Sequence, residues 1–278
     1  RQDCGETGIE QMISKITSER EVLKLTLQGG KIIAENTTVQ TITEVSLKVV
    51  VNGREFVSLL CLNQYLEELS LGFLFNEGVI DCMADVRSII CHEGIFTIEI
   101  ELSRDTGFDF DHTLKSVTSG CGKGLTFINP HKGAGFKPVE SGFRIDAAEV
   151  LKLMRDFSSR SELYKSAGGV HSALLHHAEF ELFCEDIGRH NCIDKIAGMI
   201  LKREQVNSAG QGLIVSSGRI SSEVMTKLVR LGIPVFASRS APTASAVALA
   251  DKYGITLIGY VRGDKMTVYS GQERVFDS

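Results

Sequence analysis

Four times in the last third of this chain, a short apolar run stops at a polar or glycine-bearing turn that carries an arginine. The runs are residues 180–184, 213–215, 234–237 and 255–261, and the turns hold Arg189, Arg219, Arg239 and Arg262. Helical patterns follow the first three runs, opening near His190, Ile220 and Pro242. Alternation of this kind predicts an α/β fold whose sheet has at least some parallel strands. Open sheets of that type take ligands outside the carboxyl ends of their strands, beside helix N-termini that offer free N–H donors. Four guanidinium groups there would form a bidentate clamp for phosphates. One arginine in a loop is ordinarily a solvated surface charge, so it is the recurrence that points to a polyanion. Ser217 and Gly218 precede Arg219, and Ser238 precedes Arg239. These small and hydroxylic residues serve either as helix caps or as further anion contacts.

Composition narrows the partners. The chain has 278 residues, 43% hydrophobic and 23% charged, which suits one large or two modest globular domains. A formal net charge of −5 argues against general binding to nucleic acid or a membrane surface, so anion binding has to be local. No apolar stretch reaches the ~18 residues needed to span a bilayer, and the N-terminus shows no signal-peptide pattern. The expected compartment is the cytoplasm. Seven cysteines (Cys4, Cys61, Cys82, Cys91, Cys121, Cys184, Cys192) form an odd set without framework spacing, which predicts no structural disulfides and allows a reactive thiol.

Residues 21–101 read as a small mixed unit with strands at 23–27, 45–51, 55–60 and 95–102. Asn52-Gly53 marks a tight hairpin, because both residues accept positive φ. Asn63 is the expected cap of a helix over 64–76, with Leu66, Leu69, Phe73 and Leu74 on one face and Gly78 as its stop. Residues 106–141 hold six glycines, Pro130 and Pro138, a composition expected of a functional loop or a disordered connector. The division that follows is 1–140, a mixed α/β subdomain including the glycine-rich loop, and 141–278, the alternating sheet unit. Asp146 should cap a helix to about Phe157, burying Val150, Leu151, Met154 and Phe157.

Cys121 lies in Thr118-Ser119-Gly120-Cys121-Gly122-Lys123-Gly124. Glycines on both sides allow exposure, and Lys123 favours the thiolate, the species that attacks a disulfide or persulfide sulfur. Cys61, Cys184 and Cys192 stand in apolar surroundings and are expected to be small buried hydrophobes.

Several longer motifs carry a resemblance. They are residues 66–74 (LEELSLGFL), 118–124, 168–173 (GGVHSA), 185–191 (EDIGRHN), 216–219 (SSGR) and 260–263 (YVRG). Together, over about residues 45–270, the chain resembles the formate dehydrogenase accessory sulfurtransferase family (FdhD). That resemblance implies a three-layer, cytidine-deaminase-like C-terminal domain behind the smaller N-terminal subdomain, and a homodimer. It implies a sulfurtransferase that receives sulfane sulfur from a cysteine desulfurase and passes it to the molybdenum cofactor of formate dehydrogenase. The cofactor, bis-molybdopterin guanine dinucleotide, would be bound as carried substrate. Cys121 matches the family's persulfide-carrying position, and Tyr260, Val261, Arg262, Gly263, Asp264 and Lys265 match its cofactor-binding stretch. The family often has a second loop cysteine where Gly124 stands here, which puts an internal disulfide relay in doubt while leaving a single-thiol carrier chemically complete.

Two other functions compete. A zinc hydrolase of the deaminase class needs His-x-Glu and Pro-Cys-x-x-Cys. His171 is followed two residues on by Ala173, Arg189-His190-Asn191 opens the later helix, and Cys91-His92-Glu93 has no second cluster to complete four ligands. No metal site and no zinc are therefore expected. A cofactor-binding chaperone without sulfur chemistry would need the same arginine turns, and Cys121 is what distinguishes it. His171 and His190 are either hydrogen-bonded structural residues or pocket residues. In the pocket, His190 would donate to a phosphate or protonate a leaving thiolate, and Asp186 would orient the guanine or Arg189. Glu185 and Asp194 read as surface or capping carboxylates, and His176 and His177 as loop residues.

Overall fold

A computed structural model describes residues 16–104, 114–117, 125–128 and 135–277. Strands β1 (Thr17–Gln28) and β2 (Lys31–Ile42) form a ribbon of their own, turning at Gly29 and Gly30. The strand expected at 23–27 is thus the middle of a longer one. β3 (Glu44–Val51) and β4 (Arg54–Leu62) make the expected hairpin, with Asn52 and Gly53 at φ 49° and 75° as a primed turn requires. Val45, Leu47, Val49 and Val51 alternate inward along β3. Helix α1 (Leu66–Glu77), β5 (Val86–His92) and β6 (Thr97–Leu102) follow, and the four-stranded sheet runs β4-β3-β6-β5.

Asn63 does not cap α1. Tyr65, in the left-handed region at φ 54°, occupies that position without a side-chain cap, while Gly78 ends the helix as expected. The helix is buried almost all round, which explains how it starts without a polar cap: packing on both sides holds it. The glycine-rich stretch contains β7 (Leu114–Val117) and β8 (Leu125–Ile128), an antiparallel pair, so it is not the structureless connector its composition suggests. Four-residue strands are too short to stand out by periodicity among glycines. Cys121 and its neighbours at 118–124 lie outside the described residues.

Next come β9 (Ile145–Asp146), α2 (Ala147–Arg160), α3 (Glu162–Ser166), β10 (His171–His177), β11 (Glu181–Asp186) and α4 (Arg189–Lys202). They are followed by β12 (Gly212–Ser216), α5 (Ser222–Leu231), β13 (Val235–Ser238), α6 (Ala244–Tyr253), β14 (Thr256–Arg262), β15 (Lys265–Ser270) and β16 (Val275–Phe276). Asp146 caps α2 as expected, its Oδ1 accepting from Ala148 N at 2.7 Å. His176 and His177 close strand β10 and are not loop residues; His176 pairs across to Glu181.

The larger sheet has the order β11-β10-β12-β13-β14-β15. β12, β13 and β14 are parallel, and β10 runs against both β11 and β12. It follows that β11, β12, β13 and β14 all point the same way. On one face Ala173, Leu175, Ile214, Phe236 and Leu257 pack with α4, α5 and α6; on the other, Leu174, Leu213, Val215, Val235 and Ile258 pack with Val150, Met154 and Phe157 of α2. The result is three layers. The first of these cores also takes in Leu47, Val49, Leu69 and Leu71, so it is continuous across residue 140.

Helices α1 and α4 cross with their backbones in contact. A Cβ on Gly72 would lie 1.7 Å from the Asp194 carbonyl oxygen, and one on Gly198 would lie 1.9 Å from that of Glu68. Asp194 sits in this crossing, 1% exposed, accepting from Asn76 Nδ2 at 2.7 Å and pairing with Lys227 of α5 at 2.5 Å. It is a buried bridge between three helices and not a surface or capping carboxylate. Gly198→Ala should lower the unfolding free energy by about 3 kcal/mol, as overpacking against backbone does, measured by urea denaturation. Gly94→Ala, with nothing near its added methyl, should change it by less than about 0.5 kcal/mol.

Candidate functional site

The common direction of β11, β12, β13 and β14 sets Arg189, Arg219, Arg239 and Arg262 along one edge of the sheet. A pocket of about 350 Å³ opens there, within the range of small-molecule sites. Its lining includes Phe157, Ser161 and Tyr164 from the corner between α2 and α3, His171 and Ser217 from the ends of β10 and β12, and Arg239 and Arg262 from the ends of β13 and β14.

His171 and Ser217 are fixed together. Ser217 Oγ accepts from the backbone N of Ser172 at 3.0 Å and lies 3.3 Å from His171 Nδ1. Burial holds the His171 imidazole below its ordinary pKa of 6.5, and the guanidinium groups of Arg189 and Arg219 depress it further. A depressed value means that the fold favours the neutral ring. The stability this represents is present above 6.5 and is lost as pH falls toward the folded value, because the unfolded chain takes the proton first.

Each arginine is held differently. Arg189 is buried and runs beneath Gly218, where a Cβ would come 2.8 Å from the arginine's own Cβ and 3.0 Å from its Cδ. Gly218 is therefore the residue that lets Arg189 pass. Arg219 is exposed. Arg262 donates from Nε to the Arg239 carbonyl at 2.8 Å, and its guanidinium stands 5.7 Å from the centre of the Tyr260 ring. Tyr260 itself is at φ 52°, inside an irregular stretch between Gly259 and Arg262.

The remaining expected site residues divide by place. Val261 is in the core, while Gly263 and Asp264 form the turn into β15, with Asp264 3.6 Å from Arg155 and Lys265 exposed. Ser238 is fully buried and its Oγ donates to the Gly218 carbonyl at 2.6 Å, tying two of the arginine turns together. His190 engages the start of α5, 3.3 Å from Ser221 Oγ and 3.2 Å from Glu223. Asp186 is also fully buried, paired with Lys195 at 2.6 Å and accepting from Leu62 N and Asn191 Nδ2. Its carboxylate joins β4 to the turn after β11.

Phe157, Ser161 and Tyr164 were not legible as site residues. Phe157 belongs to the apolar stripe of α2, and Ser161 has the form of an ordinary cap: its Oγ accepts from Tyr164 N at 3.1 Å. The same hydroxyl bonds Glu185, which also takes Ser172 Oγ at 3.4 Å. Glu185 is thus a half-buried carboxyl behind the pocket wall, its pKa raised by burial, and not a surface group. Its position on β11 alternates with buried Cys184 and Asp186, the one available signal.

Cys61, Cys184 and Cys192 are buried as expected, and burial pushes the Cys61 thiol up to about 12 and raises Cys192 as well. Among the described residues Cys82 is the exposed cysteine. No group of three or more metal-binding side chains occurs among the described residues, and no helix among them is long and apolar enough to cross a membrane.

The FdhD/NarQ family model matches residues 42–276. Sulfur carrier protein FdhD of Staphylococcus aureus strain MRSA252 is 35% identical over 253 residues, covering 90% of this chain and 94% of the relative; that of strain JH9 matches equally well. A crystal structure from Desulfotalea psychrophila, described as a formate dehydrogenase accessory protein, superposes with a TM-score of 0.72 at 24% identity, covering 93% of this chain and 99% of the other. That likeness concerns the fold.

In an NMR titration, His171 should titrate below 6.5 and move upward in Arg219→Gln, which removes one depressing charge. An unmoved midpoint would show that Arg219 does not act on the ring.

Proposed function

We propose a function from one premise: the chain belongs to the FdhD/NarQ family. It is a sulfurtransferase that carries sulfane sulfur on Cys121. The thiolate of Cys121 attacks the outer sulfur of a cysteine desulfurase persulfide, the donor's S–S bond breaks, and the desulfurase thiolate leaves. The outer sulfur then passes to the molybdenum of bis-molybdopterin guanine dinucleotide, carried here as substrate. Cys121 returns as a thiolate, keeping the electrons of the S–S bond; the two that make the sulfur a sulfido ligand come from the reduced metal. The sulfurated cofactor goes on to formate dehydrogenase.

One observation carries the cofactor half of this proposal: a single pocket lined by both Arg239 and Arg262 and by Phe157 and Tyr164, at the edge where β11, β12, β13 and β14 end. Guanidinium groups suit a diphosphate, and aromatic walls suit a base. His171 and Ser217 line it too, with Arg189 and Arg219 adding positive charge. Holding the cargo here makes sulfur transfer effectively intramolecular, an advantage of about 7 kcal/mol or more in well-aligned cases. The three layers form a cytidine-deaminase-like domain in this proposal, and the protein works as a cytoplasmic homodimer. The names of the Staphylococcus relatives support the sulfur half.

After incubation with a cysteine desulfurase and cysteine, mass spectrometry should find one added sulfur, ~32 Da, on Cys121, and none in Cys121→Ala. Arg262→Ala should weaken guanosine diphosphate binding about tenfold, as loss of a charge-assisted contact does, and leave that loading intact. Full formate dehydrogenase activity with Cys121→Ala would instead favour a carrier without sulfur chemistry.

A further inference from the structure

His171 and Ser217 meet where the pocket carries its positive charge. Both line it together with Arg239 and Arg262, and His171 is half-buried there. The Ser217 hydroxyl has two lone pairs and one proton. One lone pair takes the Ser172 amide at 3.0 Å, and a single further bond joins Oγ to His171 Nδ1 at 3.3 Å. A neutral imidazole fills that bond in either of two ways. With its proton on Nε2, it accepts the Ser217 hydroxyl proton at Nδ1, and Nε2–H is the one donor left over. With its proton on Nδ1, it donates to Ser217, and the hydroxyl proton is the one left over. An imidazolium leaves both: Nδ1–H donates to Ser217 Oγ, while Nε2–H and the Ser217 O–H are free for a ligand. Taking up a proton therefore adds one donor and one charge to the pocket, whichever tautomer stands there first.

The surroundings decide when that happens. Burial disfavours a charged ring here, and so do Arg189 at the start of α4 and Arg219 after β12. Arg239 and Arg262 line the same pocket, as does the phenol of Tyr164 from α3. The nearby carboxylates are engaged: Asp186, which favours the charged ring, pairs with Lys195 at 2.6 Å, and Glu185 takes the hydroxyls of Ser161 and Ser172. Cys192 of α4 donates its thiol to the His171 carbonyl and, with its pKa raised by burial, brings no charge. An arriving anion reverses this balance by offsetting the guanidinium groups. We propose that binding of a diphosphate in this pocket is coupled to uptake of one proton by His171 from solvent, which makes the ring and Ser217 together a cationic double donor for the anion. The inference rests on the anion pocket proposed above and adds the proton that enters with the ligand. The empty site thereby avoids a fifth positive charge beside four guanidinium groups. Coupling of this sign makes affinity greatest at low pH, where the ring is charged before and after binding. It falls as pH rises from the midpoint of the empty site to that of the occupied one, and levels off above.

Titration calorimetry of the full chain with guanosine diphosphate mannose tests it. Both phosphates of that ligand are diesters, so it lacks the terminal phosphate proton that titrates near pH ~6. In two buffers of different ionisation heat, at about pH 6.5, binding should take up more than about half a proton. From about pH 8 to about pH 6 the affinity should rise about tenfold, the worth of one charge-assisted contact. His171→Gln, which stays polar but cannot take the proton, should bind with no uptake and with one affinity across that range. By NMR, the assigned His171 resonance of the unaltered chain should titrate at higher pH with the ligand bound than without it, which reads the coupling even if His171→Gln does not fold. Binding with no proton uptake and an unmoved His171 midpoint overturns the coupling and leaves the pocket standing. Uptake undiminished in folded His171→Gln overturns its assignment to this ring. If the unaltered chain binds neither this ligand nor guanosine diphosphate, the pocket reading fails and takes the coupling with it.

Discussion

The crossing of α1 and α4 at Gly72 and Gly198 sets the position of everything around it. With no side chain between them, the helices approach until carbonyl oxygens occupy the space where methyl groups would be. α1 belongs to the N-terminal sheet and α4 follows the first arginine-bearing strand end, so this contact sets the distance between the two halves of the molecule. Polar groups then lock the arrangement. Asp194 bridges Asn76 and Lys227, Asp186 receives the amide of Leu62, and Arg230 reaches the carbonyls of Phe75 and Ile80. Removing one member of such a buried pair leaves an uncompensated charge, which makes these joints intolerant of single changes.

Electrostatics at the sheet edge follow from topology. Four strands end on one side, and each end delivers a guanidinium to the same region of space. Arg189 is sunk under Gly218 while Arg219, Arg239 and Arg262 remain near solvent, so positive potential extends from the floor of the site to its rim. Burial first, and then the charges of Arg189 and Arg219, hold the His171 imidazole below its ordinary pKa. An anion arriving there would reverse the local balance and draw a proton onto the ring.

Much of this was readable beforehand, and the reasons are specific. The four apolar runs and their arginine turns obey local rules, so strand ends, helix starts and the Asn52-Gly53 hairpin emerged directly. Cross-strand geometry did not. β10 ends in two histidines with no glycine after them, so His176 and His177 resembled a loop; only pairing with β11 and β12 makes them part of a strand. Likewise Asp194 and Glu185 look like surface acids in isolation, and their burial depends on helices and hydroxyls distant in sequence. Phe157, Ser161 and Tyr164 obeyed the rules for core and cap so well that nothing marked their second role in the pocket wall.

Tyr260 keeps a side chain where the backbone at φ 52° would suit glycine better. The penalty for a left-handed residue is on the order of 1 kcal/mol, and a glycine would remove it. It would also remove the ring beside Arg262. The rim therefore carries strain at the residue whose ring flanks a guanidinium, and relaxing the chain at this point would take that ring away from the site together with the strain.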